Sequence, residues 1–332
     1  MLKKVLLVVL GLIIIGGIAW YADKNYFSKN SSNTQKNETS SNFKPIQADK
    51  DTQEKIIYLI NKDGTKEIDS VNYKGEDANK IFSDENEDLK IKKIGGYGYL
   101  TKEILLIIGG DNNYENKLAI IKSDGSKEVI VDSFGNPNSI NISPDSKMIG
   151  YVFFSNVEAD YGYGLYTMSR DGSNKRQIVK KNNVIKSVVF NKDASKIAYL
   201  SVGQDNKSEI HSINTDSTND QTIFTSDDII SSVSWSESNN LIVASYQKGK
   251  NSGEIQIISN QGKLQAKVLS TKEGVPVYAT ISSDDQTVGF LEVKLKDGSF
   301  DDSAEGQVLT VKSSGQDLNK IADGFSVIGW QP

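Results

Sequence analysis

Glu67-Ile68-Asp69-Ser70-Val71-Asn72 and Glu209-Ile210-His211-Ser212-Ile213-Asn214 are near copies of one another within a single chain. Each is followed, 14 positions on, by an isoleucine–phenylalanine pair, Ile81-Phe82 and Ile223-Phe224. The same unit starts again at Lys117, Gly164, Glu254 and Gln307, so successive copies are 50, 47, 45, 45 and 53 residues apart. Short alternating strands repeated at about 40–50 residues are the sequence mark of a β-propeller. Six copies predict an all-β ring of six blades.

Outward from that echo, each unit parses into four strands by period-2 alternation broken at Gly, Asp, Asn and Ser. Residues 185–190, 230–235 and 277–281 read as innermost strands. The second strands are the most apolar, as in 104–108, 148–153, 197–200, 241–245 and 288–293. The third resembles 165–169 and runs into an Asp-Gly turn, Asp171-Gly172 or Asp124-Gly125, and a short fourth strand follows, as at 176–179. Ser143, Asn191, Ser236 and Ser282 each stand six positions before a branched residue of the next strand (Ile149, Ile197, Ile242, Val288), and Gly98 before Ile104 fits the same spacing. The sixth copy is cut short. Residues 325–330 supply an innermost strand and the chain stops at Pro332, while an unmatched second strand waits at 55–60. The two ends are therefore expected to complete one blade, which removes two open sheet edges.

Residues 1–22 differ from the rest. Lys3 and Lys4 precede an uncharged run from Val5 to Ala22, with Trp20 and Tyr21 at its far edge. That is just long enough for a bilayer core of roughly 30 Å. The lysines favour a cytoplasmic N-terminus, and the aromatic pair suits the opposite interface. Gly17-Ile18-Ala19 also offers small residues for cleavage as a secretory signal, but the apolar run exceeds the usual length of such a signal. An uncleaved anchor is the expectation, with the propeller outside the cytoplasm. Residues 23–54 form a polar stretch, Lys29 to Asn42 having no apolar residue. Such a segment buries too little to offset its ordering entropy, so it reads as a flexible tether to a ring spanning 55–332.

The charge balance is 38 Lys plus Arg against 43 Asp plus Glu. A net −5 lacks the basic face of a nucleic-acid binder, so no nucleic-acid partner is expected. With no cysteine, disulfides, thiolate nucleophiles and cysteine metal sites are excluded. No Gly-x-Ser-x-Gly elbow is present and His211 is the one histidine, so catalysis is not expected. His211 itself falls in a third strand, where Asp69 and Tyr166 occupy the matching places, and is assigned a structural role.

Ser143-Pro144-Asp145-Ser146-Lys147-Met148-Ile149-Gly150-Tyr151 is similar to the Ser-Pro-Asp-Gly-Lys turn and strand of the TolB-type propeller family. Arg170-Asp171-Gly172-Ser173-Asn174-Lys175-Arg176-Gln177-Ile178 resembles that family's Asp-Gly turn and outer strand, and Trp235-Ser236 its aromatic-serine step into the turn. The resemblance covers roughly residues 55–332. It implies an extracytoplasmic, protein-binding propeller at the cell envelope.

Tyr114, Tyr161, Tyr163 and Phe300 all read as lying in connections between second and third strands, which emerge on one face of such a ring. Aromatics on such loops are favoured anchors for partners, and the stretch 156–164 is the foremost candidate. The acidic stretch 297–305 lacks the ligand spacing of an EF-hand, and the glycine-rich 95–98 leads into no helix that could cradle phosphate. No metal or cofactor is expected. The sequence therefore points to a membrane-anchored propeller that binds a protein or peptide. Rival readings are a glycan-binding or glycan-processing propeller using channel carboxylates, and a structural component of a surface or secretion assembly.

Overall fold

In the computed structural model, which describes residues 53–332 apart from 111–115, 204, 297, 299 and 301–303, the strands form six four-stranded antiparallel sheets. Blade 1 takes its innermost strand, Ser326–Gln331, from the C-terminal end and the other three from Lys55–Lys62, Thr65–Asn72 and Asn79–Ser83. Blade 2 comprises Lys90–Gly98, Glu103–Gly109, Lys117–Ile121 and Lys127–Val131. Blade 3 comprises Ser139–Ile142, Met148–Ser155, Gly162–Ser169 and Arg176–Lys181. Blade 4 is Ile185–Phe190, Lys196–Val202, Ser208–Asn214 and Gln221–Ser226. Blade 5 is Ile229–Trp235, Asn240–Tyr246, Gly253–Ser259 and Leu264–Ser270, and blade 6 is Val275–Ile281, Thr287–Val293, Gly306–Lys312 and Asn319–Gly324. The six-bladed ring and its shared closing blade are as expected. The expected anchor and nearly all of the expected tether lie outside the described residues.

Alternation along the second strands explains how the blades cohere. Ile57 and Leu59 of blade 1 join Ile104, Leu106 and Ile108 of blade 2 in one apolar cluster. The intervening residues Ile56, Tyr58 and Ile60 turn the other way and pack with Val275, Val277 and Leu291 of blade 6. Leu105 and Ile107 likewise face Ile140, Ile149 and Tyr151 of blade 3. Both faces of each sheet are thus buried, which is why second strands such as Glu103–Gly109 carry no exposed residue. Each fully buried large apolar side chain contributes about 1.5–3 kcal/mol.

The repeated sequence has a definite structural counterpart. Pairing between third and outer strands slips at the matching place in every blade, at Ile68/Asp69, Leu118/Ala119, Leu165/Tyr166, Ile210/His211, Ile255/Gln256 and Val308/Leu309, and in blade 5 it slips again at Ile257/Ile258. These bulges recur at the spacing of the sequence echo, and each one bends the outer strand and sharpens its twist. The turn that follows packs against the preceding blade. In blade 5 it holds Gly262 at φ +78°, and a Cβ there would sit 1.6 Å from the carbonyl oxygen of Ile223 on blade 4. In blade 2 a Cβ on Gly125 would lie 2.8 Å from the Ile81 carbonyl of blade 1. The turn glycine is therefore a contact between blades as well as a left-handed corner.

Closure rests on direct pairing. Lys55 faces Gln331, Ile56 faces Trp330 and Ile57 faces Gly329. Glu54, assigned to the tether from sequence, belongs to the ring. It is 7% exposed, and its carboxylate accepts from the Ser283 amide of blade 6 at 2.7 Å and from the Tyr99 hydroxyl of blade 2 at 3.3 Å.

The topology gives the ring two unlike faces. Tight turns between innermost and second strands, and between third and outer strands, occupy a turn face. Connections between second and third strands, and from one blade to the next, occupy a loop face. The strand Lys55–Lys62 is a second strand, so the chain enters the ring at the turn face.

Candidate partner-binding surface

On the loop face of blade 3, the second strand Met148–Ser155 runs to its end at Phe154 and Ser155 before turning back. The connection contains one turn of 3-10 helix, Glu158–Asp160, tied down by the Asp160–Lys180 ion pair. Large apolar side chains nevertheless face solvent here: Val157 is 60% exposed, Tyr161 54% and Phe154 42%. Phe154 meets Tyr161 edge-on at 5.5 Å between ring centroids and lies tilted against Tyr163 at 4.9 Å. A solvated cluster of this kind is a marker of an interaction site, and its aromatics are stiff, large contact surfaces.

Two of the four aromatics expected on free loops are placed differently. Tyr163 belongs to the third strand Gly162–Ser169. It packs on the cluster of Val179, Ile185 and Tyr199 between blades 3 and 4, and burial raises the pKa of its phenol. Phe300 folds back over blades 5 and 6. It meets Tyr278 at 6.0 Å and joins the cluster containing Tyr246 and Val275. Tyr114 lies outside the described residues, as does most of the acidic stretch 297–305. Tyr161 alone of the four is exposed on a described loop, and Phe154 and Val157, not singled out from sequence, stand beside it.

The turn face is different. There the central channel is ringed by residues at or next to the ends of the innermost strands, Tyr97, Ile142, Phe190, Trp235, Ile281 and Trp330. Among the described residues one carboxylate, Glu237, lines this mouth, and it pairs with Lys192 at 2.6 Å. Glycoside chemistry needs two opposed carboxyl groups, an arrangement not found among the described residues of this lining.

His211 is 5% exposed and stacks on Tyr199 of the same blade. Ser201 Oγ stands 3.0 Å from its Nε2 and Asp220 Oδ1 3.7 Å from its Nδ1. That is the order of a nucleophile–base–acid triad, but Ser201 is only 1% exposed and stands closed off from any substrate. Asp69 and Tyr166 occupy the corresponding rungs, opposite Tyr58 and Tyr151 as His211 is opposite Tyr199.

No family model matches the sequence, and no curated protein sequence matches it. Solved structures do match. TolB from Acinetobacter baumannii superposes with a TM-score of 0.64 at 14% identity, over 86% of this chain and 68% of that one. The fold is a TolB-type propeller. A putative TolB from Agrobacterium tumefaciens gives a TM-score of 0.58 at 13% identity, covering 83% of this chain and 91% of that one. A chain of the nidogen/laminin complex gives 0.58 at 10% identity, covering 84% and 97%. At such identities the TolB-type likeness concerns the arrangement of strands, so function has to be argued from the surface of this ring.

Proposed function

We propose that this chain is a membrane-anchored, extracytoplasmic propeller that binds a protein or peptide through the loop face of blade 3. The observation that carries the reading is the solvated cluster of Phe154, Val157 and Tyr161. Topology supports it: the described chain enters the ring at the turn face, and the cluster stands on the opposite, loop face. Likeness in fold to TolB and to a chain of the nidogen/laminin complex, itself an assembly of proteins, agrees with a binding role.

The test is capture of envelope proteins by the full-length chain carrying Phe154→Ala and Tyr161→Ala. If the two rings are central anchors, each worth about 2 kcal/mol or more, recovery of the partner falls well over tenfold. A control change on the opposite face, Lys192→Ala, leaves recovery intact. Unchanged capture by the double variant would overturn the assignment of this surface.

A further inference from the structure

The lone histidine sits in a charged setting that spans two blades. Its ring lies flat on Tyr199, centroids 4.6 Å apart and planes 4° from parallel. From blade 4, Glu209 Oε2 approaches Nε2 at 3.2 Å and Asp220 Oδ1 approaches Nδ1 at 3.7 Å. The Thr222 hydroxyl lies 3.2 Å from Nδ1, and the Tyr199 hydroxyl donates to both Asp220 oxygens at 2.8 Å. From blade 3, the outer strand sends in Lys181. Its Nζ lies 3.4 and 3.3 Å from the two ring nitrogens and 5.0 Å from the Tyr199 centroid. These five titratable groups, Lys181, Tyr199, Glu209, His211 and Asp220, meet where the two blades join.

A neutral imidazole tolerates this ammonium beside it; a protonated one repels it. Burial, and then the Lys181 charge, hold the His211 pKa below its ordinary value against the pull of Asp220 and Glu209. On protonation the cost falls on the half-buried Lys181 side chain, whose charge burial already disfavours against the pull of Asp220 and Glu209. The histidine ring is fixed by its stack on Tyr199 and gains from both carboxylates.

Lys181 is also joined to the candidate surface. Its backbone stands opposite Tyr163 in the blade 3 ladder. Its carbonyl oxygen lies 2.7 Å from where a Cβ on Gly162 would be. Tyr163 in turn packs on the cluster that contains Tyr199.

We propose that Lys181 and His211 form an acid-released latch between blades 3 and 4 that sets the posture of residues 161–163. Acidification expels the lysine from the stacked pair and loosens the surface carrying Tyr161. The effect on partner capture rests on the proposed function; the latch stands without it.

A single histidine gives one unobscured imidazole signal by NMR in the full-length chain. Its titration midpoint is expected below the unperturbed value, about 6.5, and Lys181→Gln should raise it by removing the like charge. The backbone amides of Gly162 and Tyr163 should shift with that midpoint in the wild type and cease to do so in His211→Gln. Partner capture, if Tyr161 is an anchor, should weaken on the order of fivefold from pH 7.5 to 5.5, at the low end of allosteric coupling. A midpoint at or above the unperturbed value would overturn the latch, as would amides that ignore the histidine or a midpoint unmoved in Lys181→Gln. These readings need no partner, so they fail or succeed independently of the capture experiment.

Discussion

Ile56, in the first strand of the ring, pairs directly with Trp330, in the last. Trp330 is 3% exposed and belongs to the cluster between blades 6 and 1. Replacing it with alanine removes apolar contacts in the closing blade, and large-to-small changes of this kind cost about 3–5 kcal/mol. Deleting residues 325–332 removes the whole innermost strand and should unfold the ring cooperatively. A deletion variant whose melting temperature matched the parent would show that closure contributes nothing.

Tyr161 and Tyr163 should separate cleanly. Tyr161 is solvated, so Tyr161→Ala should stay within about 0.5 kcal/mol of the parent in urea unfolding. Tyr163 packs between blades, and Tyr163→Ala should cost about 1–3 kcal/mol. Equal effects of the two changes on stability would contradict the strand assignment of Tyr163.

Two turn glycines give a second contrast. Gly64 has φ +89° with nothing within 4 Å of a built Cβ, whereas Gly262 has φ +78° with a backbone oxygen at 1.6 Å. Gly64→Ala should cost only the left-handed penalty, about 1–2 kcal/mol. Gly262→Ala also forces apart two blades and should exceed about 4 kcal/mol, among the severe single changes. Thermal melts of the pair decide between turn conformation and blade contact as the reason for glycine.

Acid should weaken the ring through its turn aspartates. Asp171, Asp193 and Asp216 are each held below the ordinary carboxylate range, first by the side-chain hydroxyl two residues on (Ser173, Ser195, Thr218) and then by that residue's amide. A depressed folded pKa means the unfolded chain binds protons first. The contribution is therefore complete above the unfolded value of about 3.9 and disappears as pH falls through the folded values. Urea midpoints should hold steady from pH 6 to 5 and fall below pH 4. The triple Asp→Asn variant should show a shallower fall, and an identical one would remove these residues as the cause.

The N-terminal segment has its own test. Full-length chain should sediment with membranes and resist a high-salt wash, and external protease should cut within 23–54 and free a folded ring. Recovery of a mature chain starting at Trp20 would establish a cleaved signal instead.

Most of the ring was legible because it repeats. The copies at Glu67 and Glu209 keep their register because Ile68 and Ile210 hold the same bulge and face the same kind of gap between blades. Tyr163 was misplaced because Gly162 and Gly164 look like loop residues. In the strand, Gly164 makes room for the Tyr166 ring, whose nearest atom would lie 2.4 Å from a Cβ. Glycine there serves close packing, and local composition alone does not separate that from a turn. Phe154 was hidden for the opposite reason: it continues an apolar strand, and only the position of the strand end shows that it emerges into solvent. The partners of His211 lie on four strands and one connection, so their meeting is a property of the sheet register.

The pairing of first and last strands also orders events during synthesis. Residues 55–83 leave the ribosome early, as three strands of a blade whose innermost edge has no partner. They wait through the making of five further blades until residues 326–331 arrive. Through that interval the Lys55–Lys62 edge is open to any extended chain nearby. Pairing with residues 326–331 is what satisfies that edge, so a chain ending before residue 326 should aggregate more readily than the full ring.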